Sequence, residues 1–161
     1  MRTYIGTKII QAEPAYRVSN DHAHHIIVTD PADAYANYPD VEEGYRVRYQ
    51  DGYESWSPKE VFEKAYLPLT VNPKLKTEAP SISQQMVDDF IAETWTTTMG
   101  DKTTVVRAML RNGFEIVESS ACVSAENYDE NMGREICLRK IKDKVWFLLG
   151  FLLQTAVHDV K

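Results

Sequence analysis

The chain has 161 residues, 43% of them hydrophobic and 26% charged, with a formal net charge of −6. That balance belongs to a folded globular protein with room for one medium or two small domains, and the acidic charge excludes broad nucleic-acid or anionic-membrane binding, which draws on clustered Lys and Arg. Cys122 and Cys137 are too few for a disulfide framework, no charged leader opens the chain, and the longest apolar run, Val145 to Leu153, is far below the ~18 residues of a membrane helix, so a protein kept in a reducing cytoplasm is expected.

Tyr4 to Glu13 and His25 to Thr29 carry strand-forming residues, and Asp30 to Glu43, with Pro31 and Pro39, has the composition of a loop. Asp51-Gly52 suits a two-residue type I′ turn, because both central residues tolerate φ > 0. Such a turn sets Tyr49 opposite Glu54 and Val47 opposite Trp56. It predicts one face of Tyr45, Val47, Tyr49 and Trp56 and another of Arg46, Arg48 and Gln50, with Tyr53 on the arginine side. Ser57-Pro58-Lys59-Glu60 reads as a capping box with proline at the first helical position, opening a helix from about Pro58 to Tyr66 that Trp56 and Val61 staple to the hairpin.

Residues 69–80 contain two prolines among polar spacers and read as a linker between domains 1–68 and 81–161. Ser83 is placed to cap a helix carrying Met86, Val87, Phe90 and Ile91 on one stripe, ending before Gly100. Thr103 to Leu110 and Phe114 to Val123 flank Asn112-Gly113, a second hairpin signal, with Met109 opposite Ile116 and Ala108 opposite Val117. From about Ala125 the chain turns helical, and Leu138, Ile141, Val145, Leu148 and Leu152 keep a 3-4 alternation widened by Trp146, Leu149 and Leu153. The apolar surplus from Phe147 to Leu153 predicts a homo-oligomer through this helix. The fold class is α+β: a small β-rich N-terminal domain, a curled sheet or barrel with a short helix, then a helix-hairpin-helix C-terminal domain of α-β-β-α order.

Catalytic signals are missing. Ser119 and Ser120 have no histidine motif beside them, the glycines form no phosphate-cradling loop, and Glu126, Asp129, Glu130 and Glu135 open a helix, where acidic residues complement the macrodipole. His22, His24 and His25 follow Asp21 in a spacing that matches no established metal site, so neither metal nor cofactor is expected. Arg134, Arg139, Lys140, Lys142 and Lys144 read as a solvated basic face, of which Arg134 and Lys142 are suited to neutralise phosphates held between protomers. The ligand-binding candidates of the first domain are Arg46, Arg48, Tyr53 and Trp56, since an exposed ring beside guanidinium groups suits a base or a phosphate.

Tyr4-Ile5-Gly6-Thr7-Lys8, Asp51-Gly52-Tyr53 and Ser55-Trp56-Ser57-Pro58-Lys59-Glu60 resemble an N-terminal module of small tailed-phage proteins. In some of these the module precedes a domain of the second anti-Thoeris family, whose members sequester a cyclic ADP-ribose signal; that second domain is not recognisable in this chain. Beyond residue 80, Thr103-Thr104-Val105, Asn112-Gly113-Phe114, Glu118 to Val123, Glu126 to Asp129 and Gly133-Arg134 resemble a phage family known from N4 and Sf6 accessory genes, with no assigned reaction. The resemblance points to Asn127, Tyr128, Asp129 and Arg134 as further ligand-pocket residues.

Together these readings imply a non-enzymatic counter-defence protein of a tailed phage, acting in the cytoplasm of the infected bacterium. It would sequester a cyclic nucleotide or a cyclic ADP-ribose isomer. One alternative is an anti-CRISPR-like inhibitor that binds a host defence protein, and another is a hydrolase of a nucleotide signal.

Overall fold

The structure is a computed structural model that describes residues 1–19, 24–77 and 79–158. Its contacts divide the chain into two compact units, Met1–Pro68 and Leu69–Lys161. The class is mixed α+β, as the sequence predicts, and the first unit is a curled, half-barrel sheet.

In the first unit the strands β1 (Gln11–Ser19), β2 (His25–Val28), β3 (Val41–Arg48) and β4 (Glu54–Pro58) form one antiparallel sheet in the order β2-β1-β3-β4. Between β2 and β3 lies α1 (Pro31–Asn37), so the loop expected from Asp30 to Glu43 is overturned. Asp30 caps this helix, its Oδ1 accepting from the amide of Ala32 at 2.8 Å, and Pro31 fills the first turn, where its missing N–H costs nothing. The second helix, α2 (Lys59–Ala65), begins one residue later than the capping box requires. Pro58 is the cap, no side chain caps the helix, and Val61 is exposed, so the predicted box and staple are absent.

Each sheet face has its own chemistry. Ala12, Tyr16 and Val18 share a face with Tyr45 and Val47; there Tyr16 meets Tyr35 of α1 edge-on at 5.6 Å, and Tyr45 stacks on Phe62 of α2 at 4.1 Å. The opposite face carries Glu13, Arg17, Glu42, Arg46, Arg48 and Glu54 in cross-strand ion pairs, Arg17 with Glu42 at 2.5 Å and Arg48 with Glu54 at 2.6 Å. Trp56 lies on this second face over Ala15 and Gly44: its indole donates to the Ala15 carbonyl, and a Cβ on Gly44 would collide with the Trp56 ring and the Ser57 carbonyl.

The second unit opens with α3 (Gln84–Phe90), capped by Ser83, whose hydroxyl accepts from the amide of Met86. Thr70 and Asn72 hydrogen-bond to Ser83 and to the Ile82 carbonyl, which ties the start of this unit to its first helix. The helix ends before Gly100, as expected, stopping at Phe90, and the chain continues at once as a strand, β5 (Ile91–Met99), which the predicted elements do not include. Thr94, Trp95 and Thr96 to Thr98 are β-branched or aromatic, and such a run loses side-chain freedom in a helix and packs well on a pleated sheet. With β6 (Thr103–Leu110) and β7 (Glu115–Ala121) it makes a three-stranded meander, β5-β6-β7, one strand more than predicted. A 3-10 turn (Ala125–Asn127) leads into α4 (Glu130–His158).

Thr104, Val106, Ala108 and Leu110 of β6 and Ile116 of β7 are buried, as are Cys137, Ile141, Val145 and Leu149 of α4 and Met86 and Val87 of α3. The buried row of α4 therefore runs at i+4 spacing from Cys137, and Leu148 and Leu152 of the predicted stripe lie outside it, exposed. Gly133 sits so close to Thr104 that a Cβ there would overlap the threonine side chain.

Candidate functional site

Both hairpins depart from the predicted register by one residue, and this decides which candidate residues meet. The Tyr49 amide donates to the Tyr53 carbonyl and the Tyr49 carbonyl accepts from the Gly52 amide, so the loop holds three residues, Gln50-Asp51-Gly52, with Gly52 at a positive φ of 85°. Asp51 Oδ1 accepts from the amide of Tyr53 at 3.0 Å. This is the longer turn in which a glycine in the left-handed region forms a bulge, and it shifts every partner by one. Arg46 then faces Trp56 and Val47 faces Ser55.

Because a one-residue slip exchanges the two faces of a strand, Tyr53 leaves Arg46 and Arg48 and joins Tyr49. The two tyrosine rings stack at 5.7 Å, and the ammonium of Lys8 lies 4.2 Å from the centre of the Tyr49 ring. Lys8, Ile9, Tyr49, Gln50, Asp51 and Tyr53 line a shallow cleft of about 490 Å³. The Tyr49 hydroxyl accepts from Ser55 at 3.5 Å, and burial, followed by the neighbouring Tyr49, pushes the Tyr66 phenol above its ordinary range. Tyr53 itself is 64% exposed, so one ring face is open to solvent beside a cation. A planar anion fits this chemistry: the rings offer π faces and Lys8 a charge.

The arginines predicted to serve Tyr53 are engaged elsewhere. Arg46 pairs with Glu13, and Arg48 pairs with Glu54, whose carboxyl the guanidinium holds below the usual range. Trp56 has the Arg17 guanidinium 4.4 Å from its ring centre. Of the four first-unit candidates only Tyr53 lines the cleft. Lys8 was missed because nothing in the sequence places an N-terminal segment against a hairpin tip.

In the second unit the side chains of Tyr128 and Asp129 are tied into the fold. The Tyr128 hydroxyl bonds to Thr98 Oγ1 at 2.7 Å and Thr104 Oγ1 at 3.1 Å, and Thr98 also donates to Glu130 at 2.8 Å. Asp129 Oδ1 accepts from the amide of Met132 at 2.9 Å, at the head of α4. The amide of Asn127 donates to the Ser124 carbonyl, and Arg134 is exposed. Lys142 pairs with Asp88 of α3 at 2.8 Å, which lowers the Asp88 carboxyl.

His25 Nδ1 lies 3.2 Å from Ser19 Oγ, while Asp21 and His22 fall outside the described residues. Among the described residues no cluster of three or more His, Cys, Asp or Glu is arranged to hold a metal, and no helix is long and apolar enough to cross a membrane.

Residues 82–157 match the model of the Phage protein (N4 Gp49/phage Sf6 gene 66) family. The C-terminal part of the chain, from α3 through nearly all of α4, is thus similar to a phage protein family of unassigned function. No curated protein and no solved structure matches the chain.

Proposed function

We infer that the protein is a phage-encoded accessory protein that works by binding rather than by catalysis, and that it counters a bacterial defence by sequestering a nucleotide-type signal in the host cytoplasm. The observation that carries the reading is the cleft at the first hairpin: stacked Tyr49 and Tyr53, with Lys8 against the Tyr49 ring. A base or a cyclic nucleotide stacks on Tyr53 while Lys8 meets its phosphate. The phage family match over residues 82–157 supports the viral origin, and the resemblance of the first unit to the module preceding signal-sequestering domains supports the ligand class.

Native mass spectrometry of the pure protein against a panel of cyclic nucleotides and cyclic ADP-ribose isomers tests this. The expected result is one ligand retained unchanged, with retention falling at least about fivefold in Tyr53→Ala, the loss expected for one base-stacking contact. A ligand that is turned over would favour a hydrolase.

No adduct across the panel would move the weight to inhibition of a host defence protein. That second reading is favoured by the uncovered face of the β5-β6-β7 sheet, where Trp95, Met99 and Val117 are exposed beside Arg107. A pull-down from cells carrying a defence system would then identify the target.

A further inference from the structure

We propose that α4 carries a self-complementary contact surface through which two copies of this chain associate as an antiparallel helix pair. From Val145 to Val157 the helix has no ionisable residue. One edge of this stretch, Val145 and Leu149, is buried against its own unit, yet Phe147 is 75%, Phe151 69%, Leu152 43% and Leu148 37% exposed. These four occur as Phe-Leu, two residues, Phe-Leu, and the i, i+1, i+4, i+5 spacing places them on one strip of the helix surface.

The strip maps onto itself under a two-fold rotation centred between Leu149 and Gly150. Phe147 then faces Leu152 of a second copy and Leu148 faces Phe151, so every aromatic ring meets an aliphatic side chain. An isologous interface requires this kind of self-complementarity, and a parallel pairing would set ring against ring. The strip also imposes no polar cost. The Thr155 hydroxyl is satisfied by the Phe151 carbonyl at 2.9 Å, and Lys144, which bounds the strip on the N-terminal side, is drawn away to Glu118.

Area decides how tight the pair is. The two phenylalanines together leave on the order of 300 Å² of ring surface in water, and a standard interface buries about 800 Å² on each partner. Four apolar side chains with their polar rim fall short of that standard and give a reversible dimer rather than an obligate one. The dimer is independent of the ligand reading, since the hairpin cleft belongs to the other unit.

Sedimentation velocity of the full chain from about 1 µM to about 200 µM tests it over the range where a modest interface half-dissociates. The expected result is a concentration-dependent shift from monomer to dimer. In Phe147→Glu/Phe151→Glu the shift should vanish while the far-UV spectrum and thermal midpoint are kept. Phe114→Glu, at an exposed aromatic of the second hairpin, should leave the dimer unchanged. A monomer at every concentration would overturn the proposal, as would a dimer indifferent to the double substitution. Orientation has its own readout: mixed Leu148→Cys and Phe151→Cys proteins should form the heterodisulfide in preference to either homodisulfide, and the reverse preference would sink the antiparallel arrangement.

Discussion

The two units use the same turn but cover their sheets differently. Gln50-Asp51-Gly52 and Arg111-Asn112-Gly113 are both three-residue loops with an Asp or Asn side chain accepting the amide two residues on, and with glycine at positive φ, 85° and 81°. Each is followed by an exposed aromatic, Tyr53 or Phe114. Around this shared device the first unit is thinly packed. Its buried hydrophobic residues among those described are Ala15, Val18, Ala34 and Val47, and aromatic pairs and surface ion pairs do the rest. In the second unit a 29-residue helix lays Cys137, Ile141, Val145 and Leu149 along a sheet that presents Val106, Ala108, Leu110 and Ile116. Exposed pairs are worth little each, whereas buried methylenes act in proportion to their number, so stability should concentrate in the second unit and ligand chemistry in the first.

The largest expected effect tests that division directly. Ile141 is fully buried, and Ile141→Ala should cost about 2–5 kcal/mol through lost transfer energy and the cavity left behind. Val18→Ala, at the centre of the thinner core, removes fewer methyl groups and should cost about 2 kcal/mol or less. Urea unfolding of both variants reads the two values on one scale. If Val18→Ala proved the more damaging, the contrast between a thin and a thick core would be wrong.

A smaller effect should be the same on both sides. Gly52→Ala and Gly113→Ala each force a Cβ into the left-handed region, and no neighbouring atom lies within 4 Å to add a clash. Each should therefore lose roughly 1–2 kcal/mol from backbone strain alone. Equal losses, measured by thermal unfolding, would establish the two turns as energetically equivalent. A much larger loss at Gly113 would mean that the second hairpin is coupled to the core in a way the first is not.

The same turns mark what was legible in the sequence. Asp51-Gly52 and Asn112-Gly113 announce hairpins, and hairpins are there. The dipeptides do not state whether the loop holds two or three residues, because a type I′ turn and a type I turn with a glycine bulge both favour them. That ambiguity moved Trp56 from the predicted tyrosine face to the arginine face and Tyr53 the other way. The helix α1 was readable in Asp30-Pro31, a cap followed by proline, but loop composition outweighed it. In β5 the periodicity of Met86 to Ile91 persisted just far enough to hide a strand that the threonine run declares. Lys8 in the cleft is a tertiary fact with no local signal. Tyr128 and Asp129 have a motif-like density of functional groups, and only the structure shows those groups spent on Thr98, Thr104 and the head of α4.

The smallest effect concerns the contact between α3 and α4 in the second unit, the kind of surface pair on which the first unit depends more heavily. The Lys142 ammonium, 2.8 Å from Asp88, holds the Asp88 carboxyl below its usual range, with Gln84 assisting. A depressed carboxyl pKa means that the unfolded state takes up protons first as the pH falls. The stabilisation is therefore complete above the unfolded value of about 4 and is lost as the pH drops through the lower, folded value. Both side chains are more than a third exposed, so solvent screening limits the effect to a few tenths of a kcal/mol. Asp88→Asn should lower the neutral-pH thermal midpoint slightly and remove part of the acid dependence between about pH 5 and pH 3. High salt should erase the difference from the parent chain. An acid dependence unchanged by the substitution would show that the pair contributes nothing, and would leave buried apolar contacts alone to join the two helices.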